Sequence, residues 1–247
     1  MPVEFWTSGR APDPAEVAQK SEQAGFDGVI YVDSQNLAMD CYVALTLAAK
    51  ATTHLKLGTG VTNPVTRHPA TAAAAIASVQ TLSDGRAHLG IGRGDSSLAY
   101  IGYAPAPLKV LEAYLIKLQA YLRGDSVPFD LDSNVDSLRL ADTPGGSRLT
   151  WLPPEQTKVP VDMAATGPRA LAMASRHADR ISLMVGADPE RVSWAMGVAR
   201  KAREEAGLDQ SIPFAAYVPL IVHDDPECAM QIGEGSLASQ VRFSVMH

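Results

Sequence analysis

Short apolar runs alternate with longer alanine-rich segments along most of this chain, and that alternation limits its possible folds more than any other feature. The runs are Val3–Thr7, Gly28–Asp33, Leu55–Val61, Arg86–Gly92, Val159–Ala164, Arg180–Val185 and Pro213–Val222. Helix start and stop signals fill the intervals. Asp13 reads as an N-cap, Pro14 as the first helical residue, Glu16 as the acid three residues on, and Gly25 as the stop. Further helices are expected over about Ala38–Thr52, from Pro69 to the Ser83-Asp84-Gly85 stop, over Pro107–Gly124, Gly167–His177 and Asp188–Gly207, and from about Asp225. Strands separated by helices of this length imply parallel βαβ units with right-handed crossovers. The reading is α/β: one domain over 1–247, a TIM-type (β/α)8 barrel with seven units visible and no eighth strand, so that a fragment of a longer protein is expected. A doubly wound sheet is the competing architecture. Residues 125–158, rich in Asp, Ser, Pro and Gly, break the rhythm as an irregular insertion, with Leu138–Leu140 and Arg148–Leu152 as hints of short strands.

The totals exclude several function classes. A formal net charge of −6 without a basic stripe argues against nucleic acid as the main partner. Cys41 and Cys228 are too few and too far apart for a disulfide framework or a zinc site, and no metal is expected. No apolar run approaches the ~20 residues needed to span a bilayer, so no membrane partner is expected. The opening MPVEFWTSGRAPDP lacks the layout of a secretory signal, and the expectation is a cytoplasmic protein with free thiols.

In barrels of this kind ligands bind where strands run into the following loops. Those places carry Trp6-Thr7-Ser8-Gly9-Arg10, Asp33-Ser34-Gln35-Asn36, Gly60-Val61-Thr62-Asn63-Pro64 followed by Thr66-Arg67-His68-Pro69, Gly92-Arg93-Gly94-Asp95-Ser96-Ser97 and Ala165-Thr166-Gly167-Pro168-Arg169. GIGRGDSS is not a dinucleotide fingerprint, because its third glycine comes one residue early and no acidic ribose ligand follows at the usual interval. ATGPRA is more informative: Gly167 permits close backbone approach, Pro168 suits a first helical turn, and Thr166 and Arg169 flank free N–H groups that suit a phosphate.

Taken in order, YVDSQN, GTGVTNPVTRHP, GIGRGDS, VPVDMAATGPRAL, ISLMVGADPERV and RFSVMH resemble the luciferase-like flavin and deazaflavin oxidoreductases. The chain is particularly similar to the methylenetetrahydromethanopterin reductases and their actinobacterial relatives. The resemblance implies a redox ring in the barrel mouth and a non-prolyl cis peptide at Gly60–Val61. It implies ring contacts from Thr62 and Asn63, with Asp33, Ser34, Gly92, Arg93 and Gly94 nearby, and a phosphate site at Ala165, Thr166, Gly167, Pro168 and Arg169. Glu4, among apolar neighbours where its pKa would rise, and Asp95 match acids of the reductases and are the proton-handling candidates. His68 reads as structural. Some relatives carry a His and a Trp where this chain has Ser34-Gln35-Asn36, which argues against the sugar-phosphate and alcohol dehydrogenase branches. The implied function is hydride transfer between coenzyme F420 and a small organic substrate. An FMN-dependent monooxygenase and a non-catalytic flavin-binding protein are the alternatives. Relatives dimerise through barrel helices, and the small residues of Ala70–Ala77 would allow a homodimer.

Overall fold

The computed structural model describes residues 2–9, 12–129 and 145–234. In chain order the elements are β1 (Trp6–Gly9), α1 (Pro14–Gln23), β2 (Gly28–Tyr31), α2 (Cys41–Ala51), β3 (Lys56–Thr59), α3 (Pro69–Leu82), β4 (Ala87–Ile91), α4 (Ser96–Ala99) and α5 (Leu108–Arg123). They continue with β5 (Val127–Pro128), β6 (Gly146–Ser147), β7 (Val161–Ala165), α6 (Pro168–His177), β8 (Arg180–Leu183), α7 (Pro189–Glu205) and β9 (Phe214–Ala216). Residues 226–234 are helical. The chain divides into two compact units, Met1–Asp162 and Met163–His247.

In the first unit β1, β2, β3 and β4 lie side by side in sequence order, all parallel. Each crossover passes through a helix whose start is fixed by the residue before it. Asp13 accepts from the amides of Ala15 and Glu16, Asp40 from those of Tyr42 and Val43, and the His68 ring nitrogen Nδ1 from Ala70. His68 therefore has the structural role read for it. The core between sheet and helices is aliphatic, built on Leu45, Leu55, Leu57, Ile76, Leu89, Leu111, Leu115 and Leu118. In the second unit β7, β8 and β9 are neighbours, with the β8–β9 pair parallel. Asp188 caps α7 there by accepting from Glu190. Among the described residues no helix is long and apolar enough to cross a membrane.

The α/β alternation is as expected, with three corrections of extent. The first strand is not Val3–Thr7 but Trp6–Gly9, and Val3 and Phe5 stand 79% and 67% exposed. Its register places Trp6 opposite Gly28, where an added Cβ would lie 2.4 Å from the indole, so the ring covers a residue that has no side chain. The final strand is Phe214–Ala216 rather than Pro213–Val222, because its partner β8 ends at Leu183 and the ladder stops with it. Of the strand hints in the insertion, Arg148–Leu152 is not a strand: the antiparallel pair is Val127–Pro128 with Gly146–Ser147. Leu138–Leu140 lies outside the described residues.

Candidate active site

In the first unit the C-terminal ends of β2, β3 and β4 carry the residues singled out from sequence. The peptide Gly60–Val61 is cis, as the resemblance implied. The chain on either side is held by backbone bonds: Gly60 N–H donates to Tyr31 O at 2.8 Å, Thr62 N–H to Gly90 O at 2.9 Å, and Gly92 N–H to Thr62 O at 3.0 Å. Thr59 Oγ1 also donates to Gly90 O, at 2.7 Å. Close approach accounts for the glycines. A Cβ on Gly90 would sit 2.2 Å from Thr59 O, and one on Gly60 would sit 2.5 Å from Ile30 Cδ1.

Thr62 and Asn63 are fully buried, which changes the role expected of them. Thr62 Oγ1 donates to Asp33 Oδ2 at 2.6 Å. Asn63 Oδ1 accepts from the amides of Val65 and Thr66, each at 3.0 Å, and its amide nitrogen donates to Ser97 Oγ. Both side chains are spent on shaping the loop rather than turned toward a ligand. Between Gly60 and Asn63 only Gly60 and Val61 are half-buried, and they offer a backbone shelf with one aliphatic side chain; beyond them Pro64 is half-buried and Val65 exposed.

Asp33 is itself buried and receives both oxygens' worth of bonds from Arg67 Nη1, at 3.0 and 2.8 Å. Arg67 Nη2 reaches Asp40, and its guanidinium lies 4.8 Å from the centre of the Tyr42 ring. Burial alone would lower the Arg67 pKa, but the carboxylates of Asp33 and Asp40 hold it above its ordinary value. Burial and the neighbouring Asp33 likewise push the Cys41 thiol up, leaving it an unreactive core group. Ser34 is buried. The next two residues, at the place where some relatives carry His and Trp, serve as clamps: Gln35 Nε2 donates to Ser97 O at 2.8 Å and Asn36 Nδ2 to Tyr100 O at 3.0 Å. They fasten the β2 loop to the short helix α4, which the sequence did not announce.

On the fourth strand end, Gly92 is buried and Arg93 Nε donates to Ala106 O at 2.7 Å. Gly94 has φ +75°, a conformation that favours glycine, and a Cβ there would lie 2.7 Å from Leu98. Asp95 occupies the N-cap position of α4, half-buried, without a side-chain cap bond to that helix. Glu4 departs from expectation. It lies before β1, at the N-terminal side of the strands, where it accepts from Lys56 Nζ and from Trp6 Nε1 at 3.0 Å. Burial would raise its pKa, but the Lys56 and Trp6 hydrogen bonds and the charges of Lys56 and His88 outweigh it, and the net direction is down.

In the second unit Ala165 is buried at the end of β7, and its carbonyl accepts from Met184 N–H at 3.1 Å. Gly167 is the N-cap of α6, with Pro168 at the first helical position, Thr166 half-buried and Arg169 exposed. Among the described residues no side chain caps this helix, in contrast to α1, α2, α3 and α7, and nothing lies within 4 Å of where a Gly167 Cβ would be. Its first amides are thus open to an anion. A cleft of about 630 Å³ lies elsewhere, lined by the end of α5 and the residues that lead into β7, including Arg123, Arg148 and Lys158. It touches none of the strand C-terminal ends, so size does not identify the site. No metal-holding group of His, Cys, Asp and Glu occurs among the described residues.

Arg67 and Ser97 were read at the strand ends but given no role, and Asp40 was missed by sequence reasoning. Arg67 was legible only as part of the GTGVTNPVTRHP run; no spacing rule couples it to Asp33, 34 residues earlier.

The sequence model of the luciferase-like monooxygenases matches residues 7–239. The chain belongs to that family. A 5,10-methylenetetrahydromethanopterin reductase of Methanolobus tindarius is 31% identical to this luciferase-like chain over 90% of the chain and 65% of its own length. An F420-dependent hydroxymycolic acid dehydrogenase of Mycobacterium tuberculosis is 32% identical over 66% of the chain and 46% of its own length. The chain therefore spans about two thirds of the first relative and under half of the second. The solved coenzyme F420-dependent tetrahydromethanopterin reductase of Methanopyrus kandleri superposes with a TM-score of 0.77 at 26% identity, covering 94% of this chain and 70% of its own. A monooxygenase of Streptomyces bottropensis shares the fold, with a TM-score of 0.73 at 18% identity over 99% of this chain and 79% of its own.

Proposed function

We propose that this luciferase-like chain is an F420-dependent oxidoreductase acting on a small organic substrate. The observation that carries the reading is the shelf at Gly60–Val61: a half-buried stretch of backbone whose flanking side chains, Thr62 and Asn63, are fully buried and bonded within the protein. A planar ring needs a flat, rigid, largely apolar support, and this stretch fits that need. The reductase and dehydrogenase relatives support the choice of cofactor. When bound, the deazaflavin would supply the hydride chemistry. Gly60 and Val61 would bear on the ring, and in the second unit the start of α6, with Thr166, Gly167 and Arg169, would hold a phosphate.

The protein's own part is positioning and proton handling. Asp95, at a strand C-terminal end, is the group proposed to hold or pass a proton to the substrate. Glu4 is set aside, because its lowered pKa and its place at the opposite strand ends suit a structural ion pair. A homodimer belongs to the same proposal and is checked by native mass. Titrating the pure protein into coenzyme F420 and into FMN, with fluorescence as the readout, tests the reading. Stoichiometric quenching of F420 is expected. Tight binding of FMN alone would replace the reading by the flavin monooxygenase one, and binding of neither would leave a protein without a redox cofactor.

A further inference from the structure

The ion cluster behind the β3 loop, with Asp33 buried, Arg67 half-buried and Asp40 exposed, does more than fill space. Arg67 sits on the loop that follows the shelf, Asp33 ends the segment after β2, and Asp40 begins α2; a single guanidinium joins all three. Asp33 then passes the restraint on, since its Oδ2 accepts both Arg67 Nη1 and Thr62 Oγ1, and Thr62 directly follows Val61. Asn63 closes the same loop by turning its carbonyl on Val65 and Thr66, the two residues before Arg67. The shelf is thereby enclosed in a ring of bonds running from Thr62 to Asp33 to Arg67 and back along the chain.

Energetics favour a positioning role over a stabilising one. A buried ion pair loses much of its Coulomb gain to desolvation and is weak support for stability as such. It does fix geometry, because the planar guanidinium meets Asp33 through Nη1, at 3.0 and 2.8 Å, and Asp40 through Nη2, and so admits little rotation. Lysine does not reproduce this: its ammonium is a single point charge on a flexible stem and lacks two nitrogens fixed in one plane, one for Asp33 and one for Asp40.

We propose that Arg67 is a positioning residue for the cofactor ring, acting through Asp33 and Thr62 on the Gly60–Val61 shelf. This rests on the F420 reading above, and the test separates the two. Arg67→Lys, Thr62→Val and the charge-neutral pair Arg67→Met with Asp33→Asn would be compared with the unaltered protein. The paired variant guards against failure to fold, since it leaves no uncompensated buried charge. The first readout, without cofactor, is amide hydrogen exchange over residues 60–66. Faster exchange there is expected in Arg67→Lys, with the melting temperature little changed. The second is F420 affinity by fluorescence quenching, expected to weaken about tenfold to a hundredfold, the order of effect a misplaced positioning group causes. Unchanged exchange over 60–66, or unchanged affinity in a variant whose exchange has risen, overturns the proposal. If the unaltered protein binds no F420, the functional reading fails by itself, and exchange alone then decides whether Arg67 holds the shelf.

Discussion

Single atoms decide much at the strand ends. Gly90 and Gly94 are required for different reasons, and the difference is measurable. At Gly90 the obstacle is Thr59 O, a backbone atom 2.2 Å from where a Cβ would stand, so the sheet itself would have to move. At Gly94 the φ of +75° and the Leu98 side chain both oppose substitution. Gly90→Ala is expected to cost about 2–3 kcal/mol and Gly94→Ala about 2 kcal/mol in urea unfolding, the range of overpacking and left-handed strain. Gly145→Ala, with nothing within 4 Å of its Cβ, serves as the neutral comparison. Glu22 makes a separate prediction. Burial would raise its pKa, but the amides of His54, Leu55 and Thr53 and the nearby His54 ring lower it on balance. A carboxylate whose folded pKa is depressed contributes stability above its ordinary value, near 4.5, and loses that contribution as pH falls through the folded value. Unfolding curves between pH 6 and about pH 3 are therefore expected to show a smaller acid loss in Glu22→Gln.

Between elements, fastening is done by a few side chains that meet carbonyl groups. Arg86 donates to Ser83 O, Thr52 Oγ1, Leu55 O, Ala49 O and Thr52 O, and so closes the ends of both α2 and α3 on the approach to β3 and β4. Arg86→Met is expected to destabilise by about 3–5 kcal/mol, since it removes the guanidinium donor from four part-buried carbonyls at once; thermal unfolding would show it. The elements themselves were legible before the structure, because the Asp13 cap, the helix starts at Pro14 and Pro69 and the stop at Gly85 are local signals that tertiary packing did not override. Strand ends were less so. Val3 and Phe5 are as apolar as any strand residue, and only the pairing of Trp6 with Gly28 determines that they lie outside the ladder. The same holds for the site: Gly60–Val61 and the α6 start were readable from motif, whereas the inward turn of Thr62 and Asn63 depends on Asp33 and Ser97, which reach them only in three dimensions. Helix α4 was invisible, having no cap signal and four residues.

For the molecule as a whole, the proposed function places its own demand on the open helix start of the second unit. Arg169→Ala is expected to weaken F420 binding severalfold, about 1 kcal/mol for a lost contact to a phosphate at an exposed site, and to weaken it less as salt rises. Isothermal titration at two ionic strengths checks both parts. Gln35→Ala and Asn36→Ala should leave that affinity unchanged while loosening α4, because their bonds end on the carbonyls of Ser97 and Tyr100. Asp40 carries a consequence for how such a protein can change. One of its oxygens serves the amides that open α2, the other serves Arg67, so the outer helical layer and the inner loop share one carboxylate. An asparagine there keeps a single acceptor and must choose between them, turning its NH2 either on the helix or on the guanidinium. Substitutions at the two ends of that residue's reach cannot accumulate independently, and drift on the outside of the molecule is felt at the Gly60–Val61 shelf.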